Sequence, residues 1–543
     1  MVSKNSQNPM FPFSYAQPYA SRRSPMMGLR GAVATSQPLA AQAGMRMLQA
    51  GGNAVDAAIA AAIALTVVEP TSNGLGSDAF ALIWDGKKIH GLNASGKSPA
   101  QLDAHKIRKE GLSQMPIAGW LPVTVPGAVS AWVEMAAKFG SLPLTEMVKP
   151  ALEYAENGYP VPPVIAGYWR ASERRFAGNV DFARVFLPNG HAPAPGTIFR
   201  FPEVARTLRL IAESAGEEFY CGALAREIVA HSEKTGGYLT LEDFNSHRPE
   251  WVEPISTNYR GYDILEIPPN GQGITALIAL NILEGWEQAR LPQLSSQRLH
   301  LVIEALKYAF ADVHAYVADP RATEVPTAAL LSKDYAATRR TEIDPVKAST
   351  DLKPGLPGSS DTVYLCTADG NGMMVSFIQS NYMGFGSGIV VPGTGISLQN
   401  RGAGFSLTPG HPNEYAPGKR PYHTIIPGFI MKDGTPLSAF GVMGGDMQPQ
   451  GHLQVVSGIV DYGLNPQAAI DCPRVRVLDD HKVEVEAGIA PETVRELARM
   501  GHRVIYSAEM AGFGGGQMIW RDPESGVLIA GSEPRKDGQA VVF

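Results

Sequence analysis

The stretch Ser359-Ser360-Asp361-Thr362-Val363-Tyr364-Leu365 governs how the rest of this 543-residue chain is interpreted. The PGLPG segment at residues 354–358 is too rich in proline and glycine to hold a regular element. From Thr362 onward the residues are β-branched and aromatic, which predicts a strand. A threonine at such a junction can become a new N-terminus when the loop is cut, and its freed α-amine can then activate its own hydroxyl. A threonine that merely opens a strand would look the same.

Composition places the chain among ordinary soluble globular proteins. Hydrophobic residues make up 44% of the chain and charged residues 18%. The formal net charge of −6 gives no indication of a basic surface for nucleic acid. The three cysteines share no C-x-x-C spacing, so the sequence indicates neither a disulfide framework nor a zinc knuckle.

The N-terminal region bears on location. Residues 1–30 are rich in Ser, Pro, Asn and aromatic residues and lack the continuous apolar region of a secretory signal peptide. We therefore expect a loosely ordered arm and a cytoplasmic protein. The apolar run 54–68 contains Asp56 and stops at Glu69-Pro70, so it predicts a buried helix and no membrane span.

Periodicity and turn residues predict strands and helices of comparable weight. In the first part of the chain we expect a strand at 31–36, helices at 38–50 and 55–67, and a hairpin at 82–92 across Asp85-Gly86. Helical patterns dominate residues 128–234. After Thr362 we expect strands at 362–367, 373–379, 425–431 and 438–442, and helices at 450–460 and 491–500.

Several ordered motifs cover nearly the whole chain from about residue 31. They are Gly51-Gly52-Asn53-Ala54-Val55-Asp56-Ala57-Ala58, Asn73-Gly74-Leu75-Gly76, Val125-Pro126-Gly127, Gly236-Gly237-Tyr238-Leu239-Thr240, Thr362-Val363-Tyr364 with Asp369, Gly384-Phe385-Gly386-Ser387-Gly388-Ile389, Lys419-Arg420-Pro421 and Met443-Gly444-Gly445. Their order and approximate spacing resemble the γ-glutamyltransferase family. The likeness is greatest to its γ-glutamyltransferase-like and cephalosporin acylase branch.

The resemblance implies an α/β fold of the N-terminal-nucleophile hydrolase type, a four-layer αββα sandwich. It implies one proenzyme cut between Asp361 and Thr362 into a large subunit, residues 1–361, and a small subunit, residues 362–543. It matches Thr362 to the nucleophile and Gly444-Gly445 to the oxyanion-hole glycines. It implies no metal and no organic cofactor. An ordinary strand-to-helix turn is the alternative for the two glycines.

The acyl-binding positions depart from the family pattern. Ser95 stands where glutathione-cleaving members have an arginine, and Gly404 stands where they have an aspartate. The serine pair after Lys-Arg-Pro-x becomes His423-Thr424, and Arg401 adds a positive charge. A hydroxyl and a hydrogen cannot replace a bidentate, charge-matched clamp. A structural salt bridge is the alternative role for Arg401.

Asn381 falls where the family keeps a polar acyl-binding segment, with a register uncertain by about one residue, and a turn-forming asparagine is the alternative.

Other sequence patterns give little support to a different function. Residues 91–98 fit a P-loop, but Pro99 follows at once. Two glycine patterns beginning at Gly74 and Gly271 lack the acidic residue of a dinucleotide site. H-E-x-x-H and G-x-S-x-G motifs are missing from the sequence.

These features predict a self-processing threonine amidohydrolase or acyltransferase that cleaves a γ-glutamyl or related acyl amide through an acyl-enzyme. Its substrate would be a small molecule, with no nucleic acid or membrane partner. An acylase for dicarboxylic acyl amides, glutaryl or oxamate-like, is the first alternative. An unprocessed, inactive binding protein on the same scaffold is the second. The processed unit would contain both subunits, and a homodimer of that unit is an open expectation.

Overall fold

The computed structural model describes residues 23–176, 178–350, 352, 361–479 and 481–543. Residues 1–22 of the predicted arm and the segment 354–358 lie outside these ranges. The predicted arm is wrong for Met26–Gly28, which form an edge strand. Within the described ranges no helix is long and apolar enough to span a membrane.

The strands are β1 (Met26–Gly28), β2 (Gly31–Thr35), β3 (Asp78–Trp84), β4 (Ile89–Ala94), β5 (Tyr159–Pro160), β6 (Ile198–Phe199), β7 (Glu250–Val252), β8 (Ile255–Tyr259), β9 (Tyr262–Glu266), β10 (Asp361–Asp369), β11 (Met374–Tyr382), β12 (Val390–Val391), β13 (Ile396–Ser397), β14 (Gly428–Lys432), β15 (Thr435–Met443), β16 (Val475–Val477), β17 (Lys482–Glu486), β18 (Arg503–Ser507), β19 (Gly515–Arg521), β20 (Leu528–Ser532) and β21 (Gln539–Val542).

The α-helices are α1 (Pro38–Gln49), α2 (Ala54–Val68), α3 (Ala104–Lys109), α4 (Ala128–Phe139), α5 (Leu144–Met147), α6 (Lys149–Asn157), α7 (Pro163–Phe176), α8 (Val180–Phe186), α9 (Pro202–Glu213), α10 (Glu217–Tyr220), α11 (Ala223–Thr235), α12 (Leu241–Asn245), α13 (Gly273–Leu283), α14 (Ser296–Tyr316), α15 (Thr327–Leu330), α16 (Lys333–Thr341), α17 (Met447–Tyr462), α18 (Pro466–Asp471) and α19 (Pro491–Arg499). Short 3-10 helices lie at Pro188–Gly190, Gln288–Arg290, Arg401–Gly404 and Met510–Phe513.

Two large antiparallel sheets form the centre of the fold in the described part of the chain. One has the strand order β21-β2-β10-β11-β3-β4-β7, and the other has the order β1-β20-β19-β15-β14-β9-β8. A core of apolar side chains from both sheets, including Phe80, Tyr364 and Phe429, lies between them. A second core joins the first sheet to helices that include α1, α2 and α4, and a third joins the second sheet to α13, α14 and α17. The predicted four-layer αββα sandwich is confirmed.

Helix α2 shows why the sequence prediction succeeds in the first half. Its residues are buried on every side, as an apolar run without periodicity predicts. The Asn53 side chain accepts a hydrogen bond from the backbone N–H of Asp56, and the Asp56 carboxylate accepts one from the backbone N–H of Asn53, which together form a capping box. The predicted hairpin across Asp85-Gly86 is also present, with Trp84 paired to Ile89.

Strand β10, which begins at the predicted cleavage position, lies inside the first sheet. It pairs with β11 on one side and with β2 on the other. Both sheets contain strands from before and from after residue 361. A cut at this position would therefore give two interlocked subunits that share one core, and residue 361 is no domain boundary in the folded chain.

The oxyanion-turn candidate connects two well-formed elements. Strand β15 ends at Met443 and α17 begins at Met447, three residues earlier than the sequence predicted. Strand β14 begins at Gly428 instead of residue 425, because Pro427 has no N–H to give to a sheet ladder. Only the residues 444–446 remain between strand and helix.

Candidate active site

Thr362 is the second residue of β10 and is almost fully buried. Its Oγ1 lies 3.1 Å from Oγ of Ser380 on the neighbouring strand β11. The register between the two strands shifts between Asp361 and Val363, so a bulge surrounds Thr362. The pairing of β10 with β11 thus places Oγ1 of Thr362, the predicted nucleophile, beside the hydroxyl of Ser380, which can orient it.

The turn at Gly444-Gly445 needs glycine. The φ angles are +127° at Gly444 and +61° at Gly445, in a region that side chains disfavour. A Cβ on Gly444 would lie 3.1 Å from the Cα of Gly514. The turn comes immediately before the N-terminus of α17, where backbone N–H groups favour negative charge. The geometry is compatible with the predicted oxyanion hole.

Arg401 is fully buried, and its guanidinium lies 4.3 Å from the ring centre of Tyr382, the last residue of β11. Its Nη1 donates to Oγ1 of Thr424 at 2.6 Å. Its Nε and Nη2 donate to no atom of the described residues. Arg401 forms no salt bridge within the described ranges, so the alternative role of a structural ion pair receives no support. Burial lowers its pKa to about 10, so the group remains cationic at neutral pH.

His423 and Asp78 form a buried pair beside this arginine. His423 Nε2 lies 3.1 Å from Asp78 Oδ2, and His423 Nδ1 accepts from the backbone N–H of Ile425. These partners assign the ring proton to Nε2. Burial, and then the charges of Arg401 and Arg420, lower the pKa of His423 well below its usual value. The histidine is therefore neutral and holds the aspartate in place.

Asp78 is the acidic group of the site that the sequence analysis missed. Burial raises its pKa to about 6, against the opposing effect of Arg401. Its Oδ1 accepts from the backbone of Gly96 and from the side chain of Gln399. An aspartate that opens the otherwise apolar strand β3 was the signal that could have revealed it.

Ser95 is fully buried and hydrogen-bonds to its own surroundings. Its Oγ donates to Oδ1 of Asn93 at 2.7 Å, and Asn270 Nδ2 approaches it at 3.3 Å. Its carbonyl accepts from Arg420 Nε. A Cβ on Gly404 would come 3.0 Å from the carbonyl oxygen of Tyr422, so a side chain is poorly accommodated there. Ser95 and Gly404 therefore supply neither of the two charged groups that the family pattern has at these positions.

Asn381 does not make the contact with Thr362; its neighbour Ser380 does. Asn381 Oδ1 accepts from Ser77 Oγ, and its Nδ2 has no partner among the described residues. Successive side chains of a strand point to opposite faces, so Ser380 and Asn381 cannot serve the same side. The predicted acyl-binding role of Asn381 stays a prediction, and the sequence leaves its register uncertain by about one residue.

A buried group outside the site has metal-ligand residue types. His300, Glu304 and His502 bring their ligand atoms within 4.8 Å of one another. The ammonium of Lys307 donates to Glu304 Oε1 at 2.9 Å and lies 3.4 Å from His502 Nδ1. Because this ammonium already supplies the cation, we derive no metal chemistry from the group.

A scan against protein-family models matches residues 40–543 to gamma-glutamyltranspeptidase. The chain belongs to the gamma-glutamyltranspeptidase family. It is 38% identical over 526 residues to the glutathione hydrolase-like YwrD proenzyme of Bacillus subtilis (strain 168), covering 95% of this chain and 99% of the relative. It is 34% identical over 538 residues to the acylase ACY 1 proenzyme of Pseudomonas sp. (strain SE83), covering 97% and 96%.

Among solved structures, the chain is similar to the cephalosporin acylase from Bacillus halodurans. The TM-score is 0.93 at 53% identity, with 98% of this chain and 99% of the other covered. The family predicted from the motifs and the N-terminal-nucleophile hydrolase fold are confirmed. This family member is an amide-hydrolysing or acyl-transferring enzyme made as a proenzyme. The roles of its individual site residues stay predictions.

The pKa of Asp78 predicts a pH effect on stability. The folded value of about 6 lies above the ordinary 3.8, so the stabilisation is complete below pH 3.8 and is lost as the pH rises through 6. Asp78→Asn removes this titration. Between pH 5 and pH 8 we expect the free energy of unfolding to fall by about 1–2 kcal/mol more in the wild type than in the variant. Urea unfolding at the two pH values measures this, and equal pH dependence would contradict it.

Proposed function

We propose that this enzyme cleaves amides whose acyl group ends in a carboxylate, and that Arg401 binds that carboxylate. The observation that supports this is a fully buried guanidinium with two groups, Nε and Nη2, that have no hydrogen-bond partner among the described residues. Nε and Nη2 form one side of the guanidinium fork, which matches the two oxygens of a carboxylate. Asp78 and Asp446 act on the charge of Arg401, but no carboxylate of the described residues lies within salt-bridge distance of its guanidinium. A buried charge without a direct ion pair is costly, so an anion from the substrate would complete it.

The contacts connect this arginine with the predicted nucleophile. Tyr382 packs against Arg401 and pairs across the sheet with Asp361, the residue before Thr362. One residue, Tyr382, thus contacts Arg401 through its ring and pairs with the start of β10 through its backbone. A short dicarboxylic acyl group, such as glutaryl, has charged and reacting ends a few bonds apart and suits this arrangement.

The proposed reaction uses groups of the chain alone. After the bond between Asp361 and Thr362 is cut, the α-amine of Thr362 takes the proton from Oγ1 as Oγ1 attacks the amide carbonyl. The N–H groups of Gly444 and Gly445 stabilise the oxyanion. Collapse breaks the C–N bond, and the α-ammonium returns its proton to the leaving amine. Water, or an acceptor amine in a transfer reaction, then attacks the acyl-enzyme ester with the same amine as base.

A γ-glutamyl donor is the second candidate, and Asp78 is the observation that favours it. A carboxylate beside Arg401 resembles the charge pair that an amino acid zwitterion needs. However, Asp78 already accepts two hydrogen bonds on Oδ1 and one on Oδ2, and its pKa of about 6 leaves it partly protonated in mildly acidic solution. These contacts favour the acyl group without an α-amino group.

The two candidates are separated by comparing glutaryl and γ-glutamyl anilides on the purified, processed enzyme. We expect kcat/KM for the glutaryl donor to exceed that for the γ-glutamyl donor at least about tenfold, which corresponds to roughly 1.4 kcal/mol. A preference of that size for the γ-glutamyl donor would contradict the proposal. Failure to cleave either donor would remove the dicarboxylic and glutamyl classes together. The cytoplasmic location and the homodimer stay predictions.

A further inference from the structure

Gln272 connects the two working parts of the site. Its Nε2 donates to the carbonyl oxygen of Gly445 at 2.9 Å and to that of Thr424 at 2.6 Å. Its Oε1 accepts from the hydroxyl of Tyr422 at 2.9 Å. The side chain is fully buried, so these contacts fix its orientation.

Each carbonyl belongs to a residue with a place in the proposed reaction. Thr424 carries the hydroxyl that accepts from Arg401. Gly445 is in the turn before α17, and its carbonyl also accepts from the backbone N–H of Gln448. Glycine restricts its own backbone little, so the orientation of this turn depends on its hydrogen bonds.

Capping of helix α13 does not explain the hydrogen bonds of the Gln272 side chain. Gln272 precedes the first residue of α13, but its side chain makes no capping hydrogen bond. Its polar atoms are committed to the segment 422–424 and to Gly445, both on the other side of residue 361 in sequence. A residue of the predicted large subunit thus holds the catalytic turn of the small one.

We propose that Gln272 is a positioning residue that fixes the position of the Gly444-Gly445 turn, the oxyanion turn, relative to the Arg401 site. This rests on the proposed function, because it assigns the turn and the arginine their roles. Loss of the amide would let Gly445 and Thr424 shift independently. Since misplacement of about 1 Å can cost about 10²-fold in rate, the consequence should appear in kcat for every donor.

Three variants test this. Gln272→Glu keeps the shape but sets a carboxylate against two carbonyl oxygens, and Gln272→Met keeps the length without a polar group. The matched control is Gln454→Glu in α17, because Gln454 Nε2 also donates to two carbonyl oxygens, those of Gln450 and Val475. Active sites are counted by the acyl-enzyme burst, so that kcat refers to processed molecules only.

We expect kcat to fall about 10- to 100-fold in both Gln272 variants, and to stay within about twofold of wild type in Gln454→Glu. In Gln272→Glu, protonation lets the carboxyl donate one hydrogen bond and removes the repulsion. The ratio of variant to wild-type kcat should therefore rise as the pH falls, whereas Gln272→Met should show a flat ratio. A purely structural role would not produce this difference.

The outcomes separate the inference from the function on which it rests. If wild type cleaves no carboxylate-ended anilide, the proposed function fails. If wild type is active and Gln272→Met matches Gln454→Glu in kcat, the positioning role is overturned. If Gln272→Glu does not fold, the kcat of Gln272→Met decides the test. Gln272→Met is the main variant because it introduces no charge.

Discussion

Thr362→Ala is expected to remain one chain of 58.1 kDa and to show no amide hydrolysis. The wild type, cut after residue 361 of 543, should give fragments of about 39 and 19 kDa. Removal of the hydroxyl removes both the group that attacks the peptide bond before it and the group that later attacks substrate. We expect turnover to fall on the order of 10⁴-fold or more, the scale of losing a catalytic nucleophile. A denaturing gel and an anilide assay measure the two effects.

The control for this variant is Thr367→Ala. Thr367 is also a buried threonine of β10, and its Oγ1 donates to the carbonyl oxygen of Ala54. Its loss should cost stability but leave processing intact. Cleavage of Thr362→Ala between the same two residues would show that another group cuts the chain. Equal failure of both variants to be processed would assign the effect to misfolding of β10.

The sequence was sufficient for many individual helices and strands because their signals are local. The all-apolar run of α2 and the turn at Asp85-Gly86 each specify their element within a few residues. The four-layer arrangement came from the family resemblance, since periodicity does not reveal which strands are neighbours. Strand β10 lies between β2 and β11, and the former pairing joins residues more than 300 positions apart.

The site was less predictable because its contacts depend on register and on distant partners. The register at Asn381 was uncertain by about one residue, and a shift of one residue along a strand moves a side chain to the opposite face, as the different partners of Ser380 and Asn381 show. The bulge after Asp361 is invisible in the sequence. The pair of Asp78 and His423 joins residues 345 positions apart, so neither residue alone indicates the other.

Arg401 is the residue on which substrate choice should depend. Arg401→Met replaces the fork by an apolar chain and leaves a substrate carboxylate buried without a partner. Loss of one member of a buried charge pair costs about 2–5 kcal/mol. We therefore expect kcat/KM for a glutaryl anilide to fall about 10²- to 10³-fold, while the neutral pentanoyl anilide of equal chain length loses little. Arg401→Lys keeps the charge without the fork and should fall between the two.

Arg298→Met is the matched control for this change. Arg298 is likewise buried, lies 5.1 Å from the ring centre of Tyr462 and donates to the hydroxyl of Ser457. It shares the packing and the hydrogen bond of Arg401 but has no part in the proposed site. The ratio of glutaryl to pentanoyl kcat/KM within one preparation cancels any difference in the amount of processed enzyme. That ratio should collapse in Arg401→Met and persist in Arg298→Met. An unchanged ratio in Arg401→Met would mean that the acyl carboxylate is bound elsewhere or not at all.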